Sequence, residues 1–510
     1  MKKILLLLFS AQIVFLNANA QLPDDALRTA WFIPGGTARN IAIGGAMGSL
    51  GGDISANHVN PAGIGLYRTK EIVLSPGFAF NNNKINFRGE NSSLNKSSFA
   101  FGTTGFILGA PNRPGSKFKS SAFSISINQL ANYNNHIYYK GLNNVSSFSE
   151  QYLEELTRDG ASPQAAEQNY IFGSSLAFRT YLIDSVNVGG VFTGYKSLVP
   201  VGTGVIQERD ETTTGGYNDV SFAFAGNVED KLYLGASLNL PIVNYNRDVV
   251  YKEKDATNDA NNNFSDFSFT ENFTSRGIGL NAKLGFIYKP QESLRLGIAV
   301  HSPSFIAFKD EIRAAITTNT EAYAGIQSSS SNELNSGDPG QRSYNILTPW
   351  RAIASASYVF KEIADTKKQK GFITGDVEYV NYKGARFFPL NTSDQSNKDY
   401  YSSLNNTVKS YYKANVNLRL GAELKFDPWA IRLGGAYYGS PYSDSQLKAN
   451  KLMIAGGFGY RKQGFFIDVT YAHTMNKDVN FPYRLNDVPN TFATWNNNRG
   501  NVIFTFGFKI

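Results

Sequence analysis

The stretch ANVNLRLGAELKF, Ala414 to Phe426, decides the fold. Ala414, Val416, Leu418, Leu420, Ala422, Leu424 and Phe426 alternate with Asn415, Asn417, Arg419, Gly421, Glu423 and Lys425. Successive side chains of an extended strand point to opposite faces, so one face is wholly apolar and the other carries three charges. Wound as a helix, the same residues would spread their apolar groups around the whole circumference, and the strand reading wins. The pattern recurs at Leu232, Leu234, Ala236, Leu238 and Leu240, at Leu294, Leu296, Ile298 and Val300, and at Phe465, Ile467, Val469 and Tyr471. It runs to the last residue, where Val502, Phe504, Phe506, Phe508 and Ile510 alternate with Ile503, Thr505, Gly507 and Lys509. A bare aromatic strand is an aggregation hazard at a sheet edge, whereas a closed barrel needs such a strand to pair with the first one, here expected around Ile72 to Phe80.

The links between these stretches alternate in length. Short, turn-like links fall at Asn112 to Gly115, Ile183 to Ser185, Glu229-Asp230, Pro290 to Glu292, Lys361 to Lys370, Asp427-Pro428 and Arg461 to Gln463. Long polar segments lie between them, at 82–96, 134–169, 198–218, 244–276, 304–349, 383–411, 440–449 and 475–499. Outer-membrane barrels have tight turns on the periplasmic side and long loops outside. The links as read join sixteen strands, and the expected fold is an all-β, transmembrane antiparallel β-barrel of 14–16 strands with both termini periplasmic. A large soluble β-protein is the competing reading, because alternation alone does not say which face meets lipid. Within the loops, Ser147-Phe148-Ser149-Glu150 has capping-box spacing ahead of Tyr152, Leu153 and Leu156, and Pro163 is placed to open a second short helix. The segment 304–349 has room for one more.

Composition agrees. Aromatics make up 14% and charged residues 18% of the 510-residue chain, with 47 glycines. Mean hydropathy is −0.28, and after the start no run of eighteen apolar residues occurs, which excludes helical spans. Residues 1–20 read as a cleaved signal peptide: Lys2 and Lys3, an apolar stretch from Ile4 to Leu16, and Ala18-Asn19-Ala20 before Gln21. The absence of cysteine rules out a disulfide framework and thiolate metal sites. The net charge of +8, or +6 without the two lysines of the signal, is spread thinly and gives no nucleic-acid footprint.

Residues 21–70 depart from the alternation, and 71–510 are assigned to the barrel. The early segment carries Gly35-Gly36-Thr37-Ala38-Arg39, Gly44-Gly45-Ala46, Gly51-Gly52-Asp53-Ile54-Ser55-Ala56 and Asn60-Pro61-Ala62-Gly63-Ile64. It is too glycine-rich for an independent domain and makes sense enclosed by something else, such as a barrel lumen. The order Gly36-Thr37-Ala38-Arg39, glycine-alanine stretch, Asp53 with Ala56, then Asn60-Pro61-Ala62-Gly63 resembles the FadL-type family of outer-membrane transporters for hydrophobic compounds. Two departures stand out: Gly-Thr-Ala-Arg replaces the family's Gly-Ala-Arg, and Ile64 replaces its Leu. The resemblance covers about thirty residues of sequence, and the order of signal, plug and barrel matches over the whole chain. It implies a fourteen-stranded barrel plugged by an N-terminal hatch whose signature is Asn60, Pro61, Ala62 and Gly63. It also implies passive uptake of long-chain fatty acids or aromatic hydrocarbons, gated by small rearrangements of the hatch. The alternative is a barrel of the same fold that transports nothing and binds secreted proteins, resembling the PorV-type shuttle of type IX secretion.

No catalytic constellation is visible. His58, His136, His301 and His473 lack a second histidine at metal spacing, so neither a metal nor a cofactor is expected. His301-Ser302 has no oriented partner that would make a hydrolase, and no ligand set for haem uptake is found. Gly44 to Gly52 lacks the Lys-Ser/Thr of a phosphate loop. Arg295, Arg419, Glu423, Arg432, Asp376, Glu378 and Asp468 lie on polar faces, where the inward wall of a large barrel is ordinarily polar. Of these, Arg419 and Arg432, followed by Arg295 and Glu423, are the candidates for lumen ligand contacts. The expected partners are a hydrophobic small molecule, outer-membrane lipid and lipopolysaccharide, and the barrel-assembly machinery, with the chain acting as a monomer.

Overall fold

The computed structural model describes residues 23–360, 370–390, 393–447 and 449–510. The signal-peptide reading and nearly all of the link Lys361 to Lys370 fall outside these residues. The alternating stretches pair into one closed antiparallel sheet of fourteen strands. The first is Lys70–Leu74 continued by Pro76–Phe87, the second Glu90–Phe101 continued by Thr104–Pro111, and the third Phe118–Asn132 continued by Asn135–Asn143. Val205–Val228, Leu232–Asp255 and Asp266–Tyr288 are the long fourth, fifth and sixth. The seventh joins Leu294–His301 to Phe305–Asn319, the eighth Gly340–Leu347 to Arg351–Phe360, and the ninth Gly371–Asn381 to Arg386–Pro389. Ala414–Phe426, Trp429–Tyr438, Asn450–Lys462, Phe465–Asn480 and Ala493–Lys509 complete the wall. The aromatic terminus closes it: Ile72 faces Phe508, Leu74 faces Phe506 and Phe78 faces Val502.

The count settles at fourteen rather than sixteen because the link at Ile183 to Ser185 is not a turn between wall strands. It opens a hairpin, Ile183–Val188 with Val191–Ser197, that forms its own two-stranded sheet. Three helices precede it, Glu150–Arg158, Pro163–Gln168 and Ser174–Arg179, and all of this decorates one long connection from the third strand to the fourth. The first helix buries Tyr152 and Leu156, as the spacing predicts. Its capping box is only half formed. The Ser147 N–H donates to Glu150 Oε2 at 3.0 Å, while the Ser147 hydroxyl is drawn to Glu253 Oε2 at 2.5 Å. The segment 304–349 carries the short helix Ser331–Leu334, with a complete capping box between Ser330 and Glu333.

Tight turns fit the right-handed twist of the wall when both central residues take positive φ. Arg88 and Gly89 do so at 53° and 89°, and Glu229 and Asp230 at 55° and 59°. The first of these turns lies inside the stretch read as loop 82–96. The fifth strand shows why such stretches look like loops. Its outward residues are Leu232, Leu234, Ala236, Leu238, Leu240 and Ile242, then Asn244, Asn246, Asp248, Val250, Lys252 and Lys254, while Tyr233, Val243, Tyr245, Val249 and Tyr251 are buried on the lumen side. The strand does not end at Asn244; it leaves the lipid there. A bilayer needs about 9–11 residues of tilted strand, which matches the apolar part and leaves the upper half standing clear of the membrane.

The tenth strand has the inside-out arrangement of a membrane wall. Leu418, Leu420, Leu424 and Phe426 are exposed, while Asn417, Arg419 and Glu423 are buried. Exposed Tyr288, Tyr358, Trp429, Phe465 and Phe508 ring the end that carries the tight turns, as interfacial aromatics do.

The segment preceding the wall folds into the cylinder. It forms the helices Pro23–Arg28, Ala38–Ala42 and Ala56–Val59 and a 3-10 turn, Pro61–Leu66. Its bonds radiate to every side: Ala38 N to Thr505 Oγ1 (2.7 Å), Gly48 N to Asp376 Oδ2 (3.1 Å), Asn57 Nδ2 to Ser124 Oγ (2.7 Å) and Arg295 to Leu50 O (2.7 Å). Those partners belong to the fourteenth, ninth, third and seventh strands, which places the segment in the lumen.

Candidate functional site

Asn60 anchors the lumen segment. Its Oδ1 accepts from Ala62 N at 3.1 Å, capping the turn that Pro61 opens. Its Nδ2 donates to Gly48 O at 2.5 Å and Phe286 O at 3.2 Å. The fit needs bare backbone opposite, since a Cβ on Gly285 would lie 1.9 Å from Asn60 Oδ1. Gly63 packs against Gly51 in the same way, and Ala62 is fully buried. Thr37 caps Ala38–Ala42 and donates to Asp53 Oδ2 at 2.8 Å, so the first element of the motif read in the sequence is bonded to its Asp53 element.

The four charged residues singled out on the inward faces do not converge on one space. Arg432 is enclosed, paired with Glu423 at 2.5 Å and Asp468 at 2.6 Å. Glu423 also takes Arg39 of the lumen segment at 3.1 Å. Arg295 holds Leu50 O, and Arg419 pairs with Glu378 and donates from Nε to Tyr438 OH at 3.1 Å. Of the four, Arg419 borders a pocket of about 80 Å³ between segment and wall that also touches His58, Lys283, His301 and Arg351.

Within this region His58 Nε2 lies 3.0 Å from Ser126 Oγ and its Nδ1 3.4 Å from Asp219 Oδ2, the connectivity of nucleophile, base and acid. Ser126 Oγ, however, also accepts from Asn57 Nδ2 at 2.8 Å, is buried, and does not line the pocket. Asp219 is held by Lys283 at 2.8 Å. Ser126, which would have to be the nucleophile, faces no part of that pocket, and the three groups tie the segment to the wall. His301 donates from Nε2 to Val59 O, 2.8 Å away, and serves the same purpose. Among the described residues no cluster of three metal-ligating side chains occurs.

A larger cavity, about 440 Å³, opens above the lumen segment. Trp31, Phe32, Ile33, Leu130 and Met453 give it an apolar floor, and Arg209, Arg247, Lys451 and Arg499 are among its polar walls. It reaches Phe101 and Asn132, where the wall changes. The second and third strands are laddered from Pro111–Ser120 up to Thr104–Ile127, and no ladder joins them above that point. The third strand shifts register at Gln129/Ala131 and turns inward. Its upper part is held by side chains of both neighbours: Asn81 Nδ2 of the first strand donates to Asn134 O at 2.8 Å and Asn83 Nδ2 to His136 O at 2.6 Å, and the Ser92 hydroxyl of the second strand donates to Tyr138 O. Across the break, Asn132 Nδ2 donates to Phe99 O at 3.0 Å and Gln129 Oε1 accepts from Phe101 N at 3.5 Å. The break begins at the height of Phe78 and Phe99, where the outer face still carries exposed Phe80 before it turns polar at Asn82 and Asn95.

Sequence reasoning missed this cavity. Arg499 sits in the run Asn496-Asn-Asn-Arg-Gly-Asn501, which has no alternation to read, and the inward turn of the third strand leaves no mark beyond Asn132, Asn134 and Asn135.

The features together define a class: a fourteen-stranded membrane barrel filled by its own N-terminal segment, with a side cavity at an interrupted stretch of wall. Solved structures with the same architecture include a FadL homologue of Pseudomonas aeruginosa, at TM-score 0.57 over 94% of this chain and 99% of that one, with 12% identity. The toluene transporter TodX of Pseudomonas putida follows at TM-score 0.51, with 94% and 99% coverage and 11% identity. The chain has the FadL-type fold. No family model and no curated protein matches the sequence.

Proposed function

We propose that the protein is an outer-membrane channel for hydrophobic or amphipathic small molecules, with the N-terminal segment as its hatch and no enzymatic activity. The observation that carries this reading is the break between the second and third strands, beside the 440 Å³ cavity and at the edge of the lipid-facing band. A membrane barrel otherwise satisfies every backbone group by lateral pairing, so an interruption bridged by side chains is costly without a use. A barrel that only displays loops to protein partners has no need of it. The solved structures of the same architecture include the toluene transporter TodX, which supports a channel for hydrophobic compounds. A hydrophobic molecule gains nothing from a water-filled pore; here it meets an apolar floor and then a lateral way out into lipid.

A staple across the break tests the reading. The chain has no cysteine, so Ser98→Cys with Asn132→Cys places two thiols where the native side chains lie 3.4 Å apart. Oxidation of this variant in liposomes is expected to cut uptake of labelled toluene or a long-chain alcohol about tenfold, with reductant restoring it. Unchanged uptake in the oxidised state would remove the lateral route.

A further inference from the structure

On the fourth and fifth strands the large cavity ends at Arg209 and Arg247, and the inward residues above them carry a cover. Phe148, from the connection between the third and fourth strands, is seated there among five rings. It stacks on Tyr251 with centroids 4.6 Å apart and meets Phe269 at 5.0 Å, Tyr152 at 5.7 Å, Tyr483 at 5.9 Å and Phe267 at 6.0 Å. Beside it lies Glu253, fully buried on the part of the fifth strand that stands clear of the membrane. Among the described residues Glu253 forms no ion pair. Its Oε1 accepts from Phe148 N at 2.8 Å, Gln207 Nε2 at 2.8 Å and Tyr251 OH at 2.9 Å, and its Oε2 from the Ser147 hydroxyl at 2.5 Å. Gln207 Nε2 also donates to Tyr483 OH at 3.0 Å, and Arg209 holds Pro482 O at 3.2 Å, which brings the loop 481–492 into the same node. The other titratable groups around it are Tyr251 on its own strand, Tyr139 on the third, Tyr483 on that loop and Glu150 on the first loop helix. Arg209 on the fourth strand is paired with Glu211 at 2.6 Å, and the sixth strand presents only Phe267 and Phe269.

A buried carboxylate met only by neutral donors carries its charge at a cost that protonation removes. The geometry admits both states. When Oε2 takes a proton it donates to Ser147 Oγ, whose own hydrogen turns to Ser149 Oγ at 2.8 Å, and every bond to Oε1 stays. We infer that Glu253 is a proton-operated latch on this cover, closing the outer approach to the cavity in acid surroundings and loosening it as the pH rises. The inference adds a gate to the channel reading and rests on that reading for what the gate controls. Burial pushes the Glu253 carboxyl from its ordinary 4.5 up to about 7. With the cover lifted the group meets water and returns to the ordinary value. The closed form therefore holds the proton more tightly. Closure is strongest below pH 4.5, weakens as the pH climbs from there to about 7, and is level above.

Because the chain has no cysteine, one thiol placed on the wall reports the cover. Val249→Cys lies beneath it, at a buried position of the same apolar cluster, and Val250→Cys faces outward from the next position on the strand. Each single-cysteine barrel, in a non-ionic detergent, is treated with a small maleimide between pH 5.5 and pH 8. The rate at 249 is divided by the rate at 250, which cancels the pH dependence of the reagent. This ratio is expected to rise about thirtyfold and to level off near pH 7. In Glu253→Gln, whose amide donates to Ser147 as the neutral acid does, the ratio should stay low and flat. A flat ratio in the parent overturns the latch. So does a slope that Glu253→Gln leaves unchanged, which would assign the effect to another group such as Glu150. Neither readout involves transport, so the two readings fail separately: absence of toluene flux through the unstapled barrel at every pH would count against the channel and leave the latch standing.

Discussion

Asn60 uses both ends of its amide, Oδ1 inward to its own turn and Nδ2 outward to Gly48 and the sixth strand, and Gly285 leaves the space for it. Asn60→Ala removes the cap and the donors; Gly285→Ala drives a methyl into the oxygen. Each is expected to cost about 1–3 kcal/mol of stability, read as a fall in the temperature at which the folded, fast-migrating gel form disappears. The double variant should fall short of the sum, because both changes act on one contact. Full additivity would show that they do not. At this scale the sequence reading reached faces but not partners. Alternation puts Arg419, Glu423 and Arg432 indoors, and Glu423 and Arg432 are register neighbours across one turn. That Arg39 crosses the lumen to Glu423 depends on how the cylinder closes, which local pattern does not encode. The inward polar face proved to be mostly a paired wall, as burial of that many charges demands.

Among the elements, the fifth strand is the clearest case of legible pattern with illegible extent. Leu232 to Leu240 was readable as strand, and 244–276 looked like loop because polarity rises at Asn244. Period-two order continues through Tyr245, Val249 and Tyr251 on the lumen side, but a reader expecting lipid outside throughout discards it. The hairpin at 183–197 misled in the opposite sense, since its alternation is that of a small sheet packed on loop helices. Replacing Ile183–Ser197 by a short glycine-serine linker is therefore expected to leave the barrel assembled, with heat-modifiable mobility intact, as the hairpin pairs with no wall strand. Failure to assemble would make it part of the wall's folding unit.

For the whole molecule, closure depends on the last strand. Ala493–Lys509 is laddered to the thirteenth strand on one side and to the first on the other, with Leu74 opposite Phe506 and Glu71 opposite Lys509. Truncation after Thr505 strips the lower seam, exposing backbone groups of Lys70–Leu74 to hydrocarbon at a cost of several kcal/mol per group. Such a chain is expected to be degraded or to remain heat-insensitive on gels; a folded truncated barrel would contradict the seam described. The closed, inside-out sheet was the most legible feature of all, because lipid imposes it on every strand at once, whereas the interrupted wall concerns one strand and a few asparagines.

The change from leucine to asparagine along the outside of the fifth strand works as a waterline. A strand slipped by one residue would turn its greasy side indoors, and one slipped by two would keep its sides but lift the whole vessel roughly 6–7 Å out of the oil. The draught of the barrel is thus fixed, and with it the depth of the unzipped seam beside Phe99. A molecule taking the proposed lateral route would arrive among the tops of the acyl tails.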